Sequence, residues 1–275
     1  MPFAIYEKGH ILYEEKGTGE PLILIHGVGL DHTMWKHQIN SLSDSFRVIV
    51  YDMVGHGGSE HPPGPYSISH YVEQLAGLMD YLEIKQTHLV GFSMGGMVAQ
   101  AFALALNERL ITLTIMNAVA NRTEEQRKGI LARVEEFREN GPLSTIEPAI
   151  QRWFTPEFLQ SQQKEVDLIR KRLQTNNPES YLSAYTLFAT ADAELWSKLE
   201  AIETPTLIVT AEHDIGSNPE MARQMHAKIT KSKISIIPNL KHMAPVEGAD
   251  TVNNLIRLFI NNQSISVRWR RIENE

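Results

Sequence analysis

The sequence predicts an α/β protein: a mostly parallel, eight-stranded sheet flanked by helices, with an inserted helical cap. Three observations predict it. Short continuous apolar runs recur along the chain, as in strands buried on both faces. Helix-length segments separate most of them, which is the alternation of a crossover sheet. One stretch, 121–200, is polar and helical in pattern and contains no convincing strand.

In order, residues 3–6 and 10–15 read as two short strands joined at Lys8-Gly9, and Gly17-Thr18-Gly19 makes a turn. The run 21–25 (PLILI) is the first continuous apolar strand. The runs 46–51 (FRVIVY), 87–91 (THLVG), 110–116 (LITLTIM), 206–210 (TLIVT) and 233–237 (KISII) repeat its pattern. Helical segments are expected near 32–43, 68–83, 94–106, 218–230 and 249–261. Residues 1–120 and 201–263 would form the core, and 121–200 the cap. The tail 264–275, with Trp269 among Arg268, Arg270 and Arg271, is expected to fray rather than bind a partner.

The bulk numbers agree with one large domain carrying an insertion. At 275 residues and 42% hydrophobic, the chain can bury a substantial core. It has 26 basic and 33 acidic residues, so no basic surplus exists for nucleic acid. Cysteine is absent, which excludes disulfides, thiolate zinc sites and cysteine nucleophiles and fits a cytoplasmic setting. The N-terminus has no signal-like apolar run. The longest apolar stretches, about five to eight residues, fall short of the ~20 that cross a membrane. Assembly as a homo-oligomer is left open.

The chemistry concentrates at Gly91-Phe92-Ser93-Met94-Gly95, a G-x-S-x-G between an apolar strand and a helix. Such a turn strains the serine backbone and needs small neighbours so that other backbone can pass closely. It holds the Ser93 hydroxyl exposed at a helix N-terminus, where negative charge is favoured. A hydroxyl needs a base. His242 follows the last predicted strand and suits the chain order serine, acid, histidine. Asp214, directly after the strand 206–210, is the expected acid, with Glu212 the alternative. Its work is to fix the histidine tautomer and stabilise the imidazolium. His26-Gly27-Val28-Gly29 follows the strand 21–25, so the amides of Val28 and Met94 are the expected oxyanion hole. His26 is expected to pin its loop. Asp52 through Ser59 is glycine-dense but lacks G-K-[ST], so it reads as a structural turn rather than a phosphate site.

Taken together, His26-Gly27, Asp52 through Ser59, the Ser93 elbow, Asp214 and His242 resemble the α/β-hydrolase superfamily over nearly the whole chain. Within it, the chain looks most like the 3-oxoadipate enol-lactonase and carboxylesterase-like group. The carrying stretches are Thr33-Met34-Trp35, Gly64-Pro65-Tyr66-Ser67-Ile68, Ser93 through Gln100, and Asn117-Ala118-Val119-Ala120. The resemblance implies hydrolysis of a small cyclic or carboxylated ester in aromatic-compound breakdown. The segment Lys241 through Glu247 departs from the lactonases toward broader carboxylesterase-like relatives. Dehalogenases and epoxide hydrolases of this fold carry aspartate at the elbow, so Ser93 argues against them. C–C hydrolases often carry asparagine before the serine, where this chain has Phe92.

The expected substrate is therefore a small-molecule ester or lactone, cleaved through an acyl-enzyme with no cofactor and no metal. A C–C hydrolase, lyase, cofactor-free oxygenase or perhydrolase on the same triad is the alternative, and a pure binding module the third. The cap is expected to roof the pocket, with Trp35, Trp153 and Phe154 as lining candidates. Arg122, Arg133 and Arg152 are candidates for meeting a substrate carboxylate.

Overall fold

The computed structural model describes residues 2–272, with side chains through Gln263. Its eight strands are β1 (Phe3–Tyr6), β2 (Gly9–Lys16), β3 (Pro21–Ile25), β4 (Arg47–Tyr51), β5 (Thr87–Phe92), β6 (Leu110–Met116), β7 (Thr206–Ala211) and β8 (Ser232–Ile237). They form one sheet in the order β1-β2-β4-β3-β5-β6-β7-β8. β1 pairs with β2, and β2 with β4, antiparallel; every other pair is parallel.

Parallel neighbours need crossovers, and helices supply them. α1 (Lys36–Leu42), α2 (Ile68–Tyr81) and α3 (Met94–Ala105) follow β3, β4 and β5. Between β6 and β7 lie α4 (Glu124–Asn140), α5 (Leu143–Trp153), α6 (Pro156–Ser161), α7 (Gln163–Gln174), α8 (Pro178–Thr190) and α9 (Asp192–Trp196). α10 (Pro219–Lys228) links β7 to β8, and α11 (Ala244–Glu247) and α12 (Ala249–Ile272) close the chain. Local chemistry starts several of these. Thr123 and Gln126 form a capping box at α4, and Asn177 and Asn218 cap α8 and α10 ahead of a proline.

The continuous apolar strands divide their side chains between two cores. Ile23 and Ile25 join Leu75 of α2, Val98 and Phe102 of α3 and Met225 of α10 on one face. Leu22 and Leu24 join Ile39 of α1 and Ile256 of α12 on the other. The helices between β6 and β7 reach both cores, through Ile130 and Tyr185 on one side and Ile150 and Leu173 on the other. Because β3 and β5–β8 run parallel, the loops after their C-terminal ends share one edge of the sheet, and that edge carries the site.

Two segments differ from expectation. Residues 32–43 divide into a 3-10 turn, His32–Trp35, capped by Asp31, and then α1. The last helix continues past 261 to Ile272, and the side chains of the tail 264–275 lie outside the described residues. Among the described residues no helix is long and apolar enough to cross a membrane.

Candidate active site

Ser93 stands between β5 and α3 with φ 55° and ψ −116°, a backbone that side-chain-bearing residues avoid. Its neighbours permit this only as glycines. A Cβ on Gly91 would lie 2.2 Å from the Gly95 carbonyl oxygen, and one on Gly95 would lie 2.4 Å from that of Ile25. The Ser93 amide donates to the Met116 carbonyl (2.9 Å), tying the elbow to β6.

The three residues expected to converge do so. Ser93 Oγ is 3.2 Å from His242 Nε2, and His242 Nδ1 is 2.7 Å from Asp214 Oδ2. Nδ1–H donates to the carboxylate, so Nε2 is left as acceptor for the serine proton. All three are buried, at 4%, 8% and 2% exposure. Asp214 follows β7 and takes four donors. The amides of Gly216 and Ser217 reach Oδ1 at 2.9 Å, and Asn117 Nδ2 reaches Oδ2 at 2.9 Å beside the imidazole. Burial pushes the Asp214 carboxyl up, but His242 and these hydrogen bonds override it and hold it below the usual carboxylate range. The His242 ring lies between Phe92 (4.9 Å between centroids) and Trp153 (5.9 Å).

Val28 sits beside Ser93 in the wall of a cavity of about 230 Å³. Met94 is the first residue of α3, where an amide has no acceptor four residues back. The loop carrying Val28 is held from behind. His26 Nδ1–H donates to the Gly27 carbonyl (2.7 Å), and its Nε2 accepts the Met53 amide (2.9 Å). Burial pushes His26 down to about 4, so the ring is neutral and structural. The turn after β4 is internally knit as well. Asp52 accepts from the His32 amide (2.8 Å), His32 Nδ1 (2.6 Å) and the Gly58 amide (2.8 Å). Asp31, the third member of that acidic–histidine cluster, caps the 3-10 turn and pairs with Arg172 (3.1 Å). Those carboxylates are committed to protein donors.

Several expectations require correction. Trp35 does not line the cavity; it is fully buried in the second core, edge-on to Phe92. Phe154 is likewise fully buried and stacked on Phe158. Each sits on a face that the tertiary fold turns inward. Trp153, one residue earlier, does line the cavity. Glu212 is exposed and accepts the Asn239 amide (3.0 Å), away from His242. Arg122, Arg133 and Arg152 all line the cavity, but Arg122 is already bound to Asp192 (2.9 Å).

Asn117 is the contributor that sequence reading did not assign. It directly follows β6, at φ 46°, a conformation asparagine tolerates better than most. Its signal was an asparagine followed by small residues at the end of a core strand, next to the strand that carries the acid.

Comparison with known proteins places the chain in a family. The model of the alpha/beta hydrolase fold family matches residues 20–249. The chain is 30% identical over 251 residues to (E)-2-((N-methylformamido)methylene)succinate hydrolase of Acinetobacter baylyi, covering 90% of this chain and 93% of that one. It is 30% identical over 235 residues to 3-oxoadipate enol-lactonase 2 of the same organism, covering 86% of each. The crystal structure of the enol-lactonase from Burkholderia xenovorans LB400 superposes with a TM-score of 0.89 at 27% identity, covering 94% of this chain and 100% of that one.

Proposed function

The chain belongs to the alpha/beta hydrolase fold family, and from that premise we propose that it is a serine hydrolase of small carboxylic esters or lactones, with Ser93 as nucleophile, His242 as general base and Asp214 as the orienting carboxylate. The observation that carries the reading is the continuous relay from Ser93 Oγ through His242 to Asp214, at 3.2 and 2.7 Å, on a strained elbow open to a cavity.

In the proposed reaction Ser93 Oγ bonds to the substrate carbonyl carbon as its proton passes to His242 Nε2. The amides of Val28 and Met94 receive the oxyanion. The C–O bond to the leaving oxygen then breaks, and Nε2–H protonates that oxygen. In a lactone it stays tethered to the acyl group. Water, deprotonated by the same imidazole, attacks the acyl-enzyme and frees the acid. Asp214, anionic and held by four donors, stabilises the imidazolium without taking its proton. Residues 121–200 act in this reading as a cap subdomain over a core of 1–120 and 201–263.

Support for small substrates comes from the cavity, which at about 230 Å³ is below the ~300–1,000 Å³ usual for drug-sized ligands. Support for lactones comes from the relatives named for an enol-lactone. A second reading, in which the same triad opens a bond other than an ester, is favoured by the relative named as an (E)-2-((N-methylformamido)methylene)succinate hydrolase and, for C–C bonds, by the 26% identical structure of a meta-cleavage product hydrolase.

The test is turnover of p-nitrophenyl acetate and labelling by a serine-reactive phosphonate. We expect Ser93→Ala to lower kcat by ~10⁴-fold or more, and the label to map to the peptide containing Ser93. Full activity in Ser93→Ala would refute the nucleophile. A panel of esters, lactones and ring-cleavage products separates the two bond classes.

A further inference from the structure

Arginine pairing is the rule among the described residues, and two of them break it. Arg47, Arg109, Arg122, Arg127, Arg138, Arg170, Arg172, Arg223 and Arg257 each have a carboxylate partner. Arg133 of α4 and Arg152 of α5 are the exceptions among the described arginines, and both line the cavity that holds Ser93 and His242. Both are half-buried, where a charge is ordinarily neutralised by a partner.

No described residue nearby balances them. Among the described residues Asp214 is the one acidic residue lining the cavity, and it is committed to His242, Asn117 and the amides of Gly216 and Ser217. Asp192, behind the wall, is shared by Arg122 and Arg127. Burial and the like charge of Arg133 both pull Arg152 below its ordinary value, and both side chains line the same cavity. All this occurs in a protein of net charge −7, which had acids to spare for pairing.

We propose that Arg133 and Arg152 form an anion subsite that selects substrates bearing a free carboxylate near the scissile acyl bond. The proposal deepens the hydrolase reading and rests on it. The ligand class is a half-ester or lactone of a dicarboxylic acid, with one acyl carbon at Ser93 and the other carboxylate between α4 and α5. Planar guanidinium forks can each receive a carboxylate oxygen. Burial and Tyr185 push the Tyr181 hydroxyl up despite Arg152 and Arg133, so it stays protonated beside the pair as a further donor. Neutralising both charges would also join α4 to α5 when substrate is bound.

The experiment compares kcat/KM for p-nitrophenyl hemisuccinate with that for p-nitrophenyl butyrate, and titrates succinate against inorganic phosphate by calorimetry. The wild type should favour the anionic ester by at least about tenfold. Arg133→Gln and Arg152→Gln should each lower the anionic-to-neutral ratio by about 10–100-fold, the range of one charged hydrogen bond. Arg133→Lys should recover part of that loss, and Arg138→Gln, on an exposed ion pair of α4, should change the ratio less than about twofold. Succinate should bind the wild type at least about tenfold more tightly than either glutamine variant. An unchanged ratio in both variants, or phosphate binding as well as succinate, overturns the carboxylate subsite while leaving the hydrolase reading intact. If no ester is turned over, the hydrolase reading fails, and succinate binding equally to wild type and variants would overturn the subsite separately.

Discussion

Asn117 donates to the same oxygen of Asp214 that receives the imidazole of His242, at 2.9 Å against 2.7 Å. The carboxylate is therefore held by β6 as well as by its own loop. Asn117→Ala should lower kcat/KM by about tenfold, the size of one hydrogen bond to a charged group. Asn117→Asp sets a second carboxyl against the first, which disfavours ionising both and should move the acid limb of the pH profile upward. A rate and profile unaltered in both variants would remove Asn117 from the machinery.

The strain at Ser93 gives a prediction that separates stability from activity. Glycine accepts the observed backbone without a clash. Ser93→Gly should abolish turnover yet raise unfolding free energy by about 1 kcal/mol, or about 2–4 °C in Tm. Ser93→Ala keeps the strain and should show no such rise. Calorimetry of the two variants side by side decides it.

Gly95 lies against the backbone of the loop that presents Val28. A Cβ there meets the carbonyl oxygens of Ile25 at 2.4 Å and His26 at 2.5 Å, and backbone cannot step aside as a side chain can. We expect Gly95→Ala to cost about 3 kcal/mol or more in stability, with lost activity in whatever folds. Wild-type urea unfolding with full turnover would count against the close approach.

Stability should fall as pH drops below about 6.5, the ordinary histidine value. Burial pushes His26 down to about 4 and His56 to about 3. Between 6.5 and those values the unfolded chain takes up protons that the native state refuses. The stabilisation is thus complete above 6.5 and lost on acidification, at up to about 1.4 kcal/mol per pH unit for each ring. Asp214, also lowered, adds a further loss only below about 3.9. Burial lowers His32 but Asp52 outweighs it and raises it, so its contribution is complete below 6.5 and does not offset the slope. His56→Asn should flatten the urea-derived stability between pH 6.5 and 4.5 by about one proton's worth; an equal slope in the variant would disprove its part.

Asp192 ties the start of the 121–200 segment to its end. It is fully buried and joins Arg122, Arg127 and the Arg122 amide. Asp192→Ala leaves a buried guanidinium without its partner and should cost about 3–5 kcal/mol. Limited proteolysis should then cut first within residues 121–200. Cleavage beginning in the sheet core would show that the carboxylate has no special role there.

The strands, the elbow and the residues that converge on it were legible because their signals are local. An apolar run declares a strand buried on both faces. A serine amid glycines between strand and helix declares the elbow. His242 and Asp214 could be found because each directly follows a strand whose C-terminal end must lie on the shared edge. Pocket walls carry no such mark. Trp35, Trp153 and Phe154 are alike as bulky aromatics, and only Trp153 faces the cavity; it ends α5, while Phe154 leaves the helix with extended backbone (φ −116°, ψ 152°) and turns into the core. In the same way nothing in the composition separates Arg122, which meets Asp192 across seventy residues of chain, from Arg133 and Arg152, which meet no carboxylate.

Patterns within a few residues thus determined the parallel sheet, the strained elbow and the arrival of Ser93, His242 and Asp214 at one edge of it, since period and turn chemistry act over that range. Tertiary structure alone decided the second anchor on Asp214, the lining of the cavity and the two guanidiniums left without a counter-charge. Those depend on which distant segments the packed core brings within hydrogen-bonding reach, and contact at that distance is a property of the whole fold.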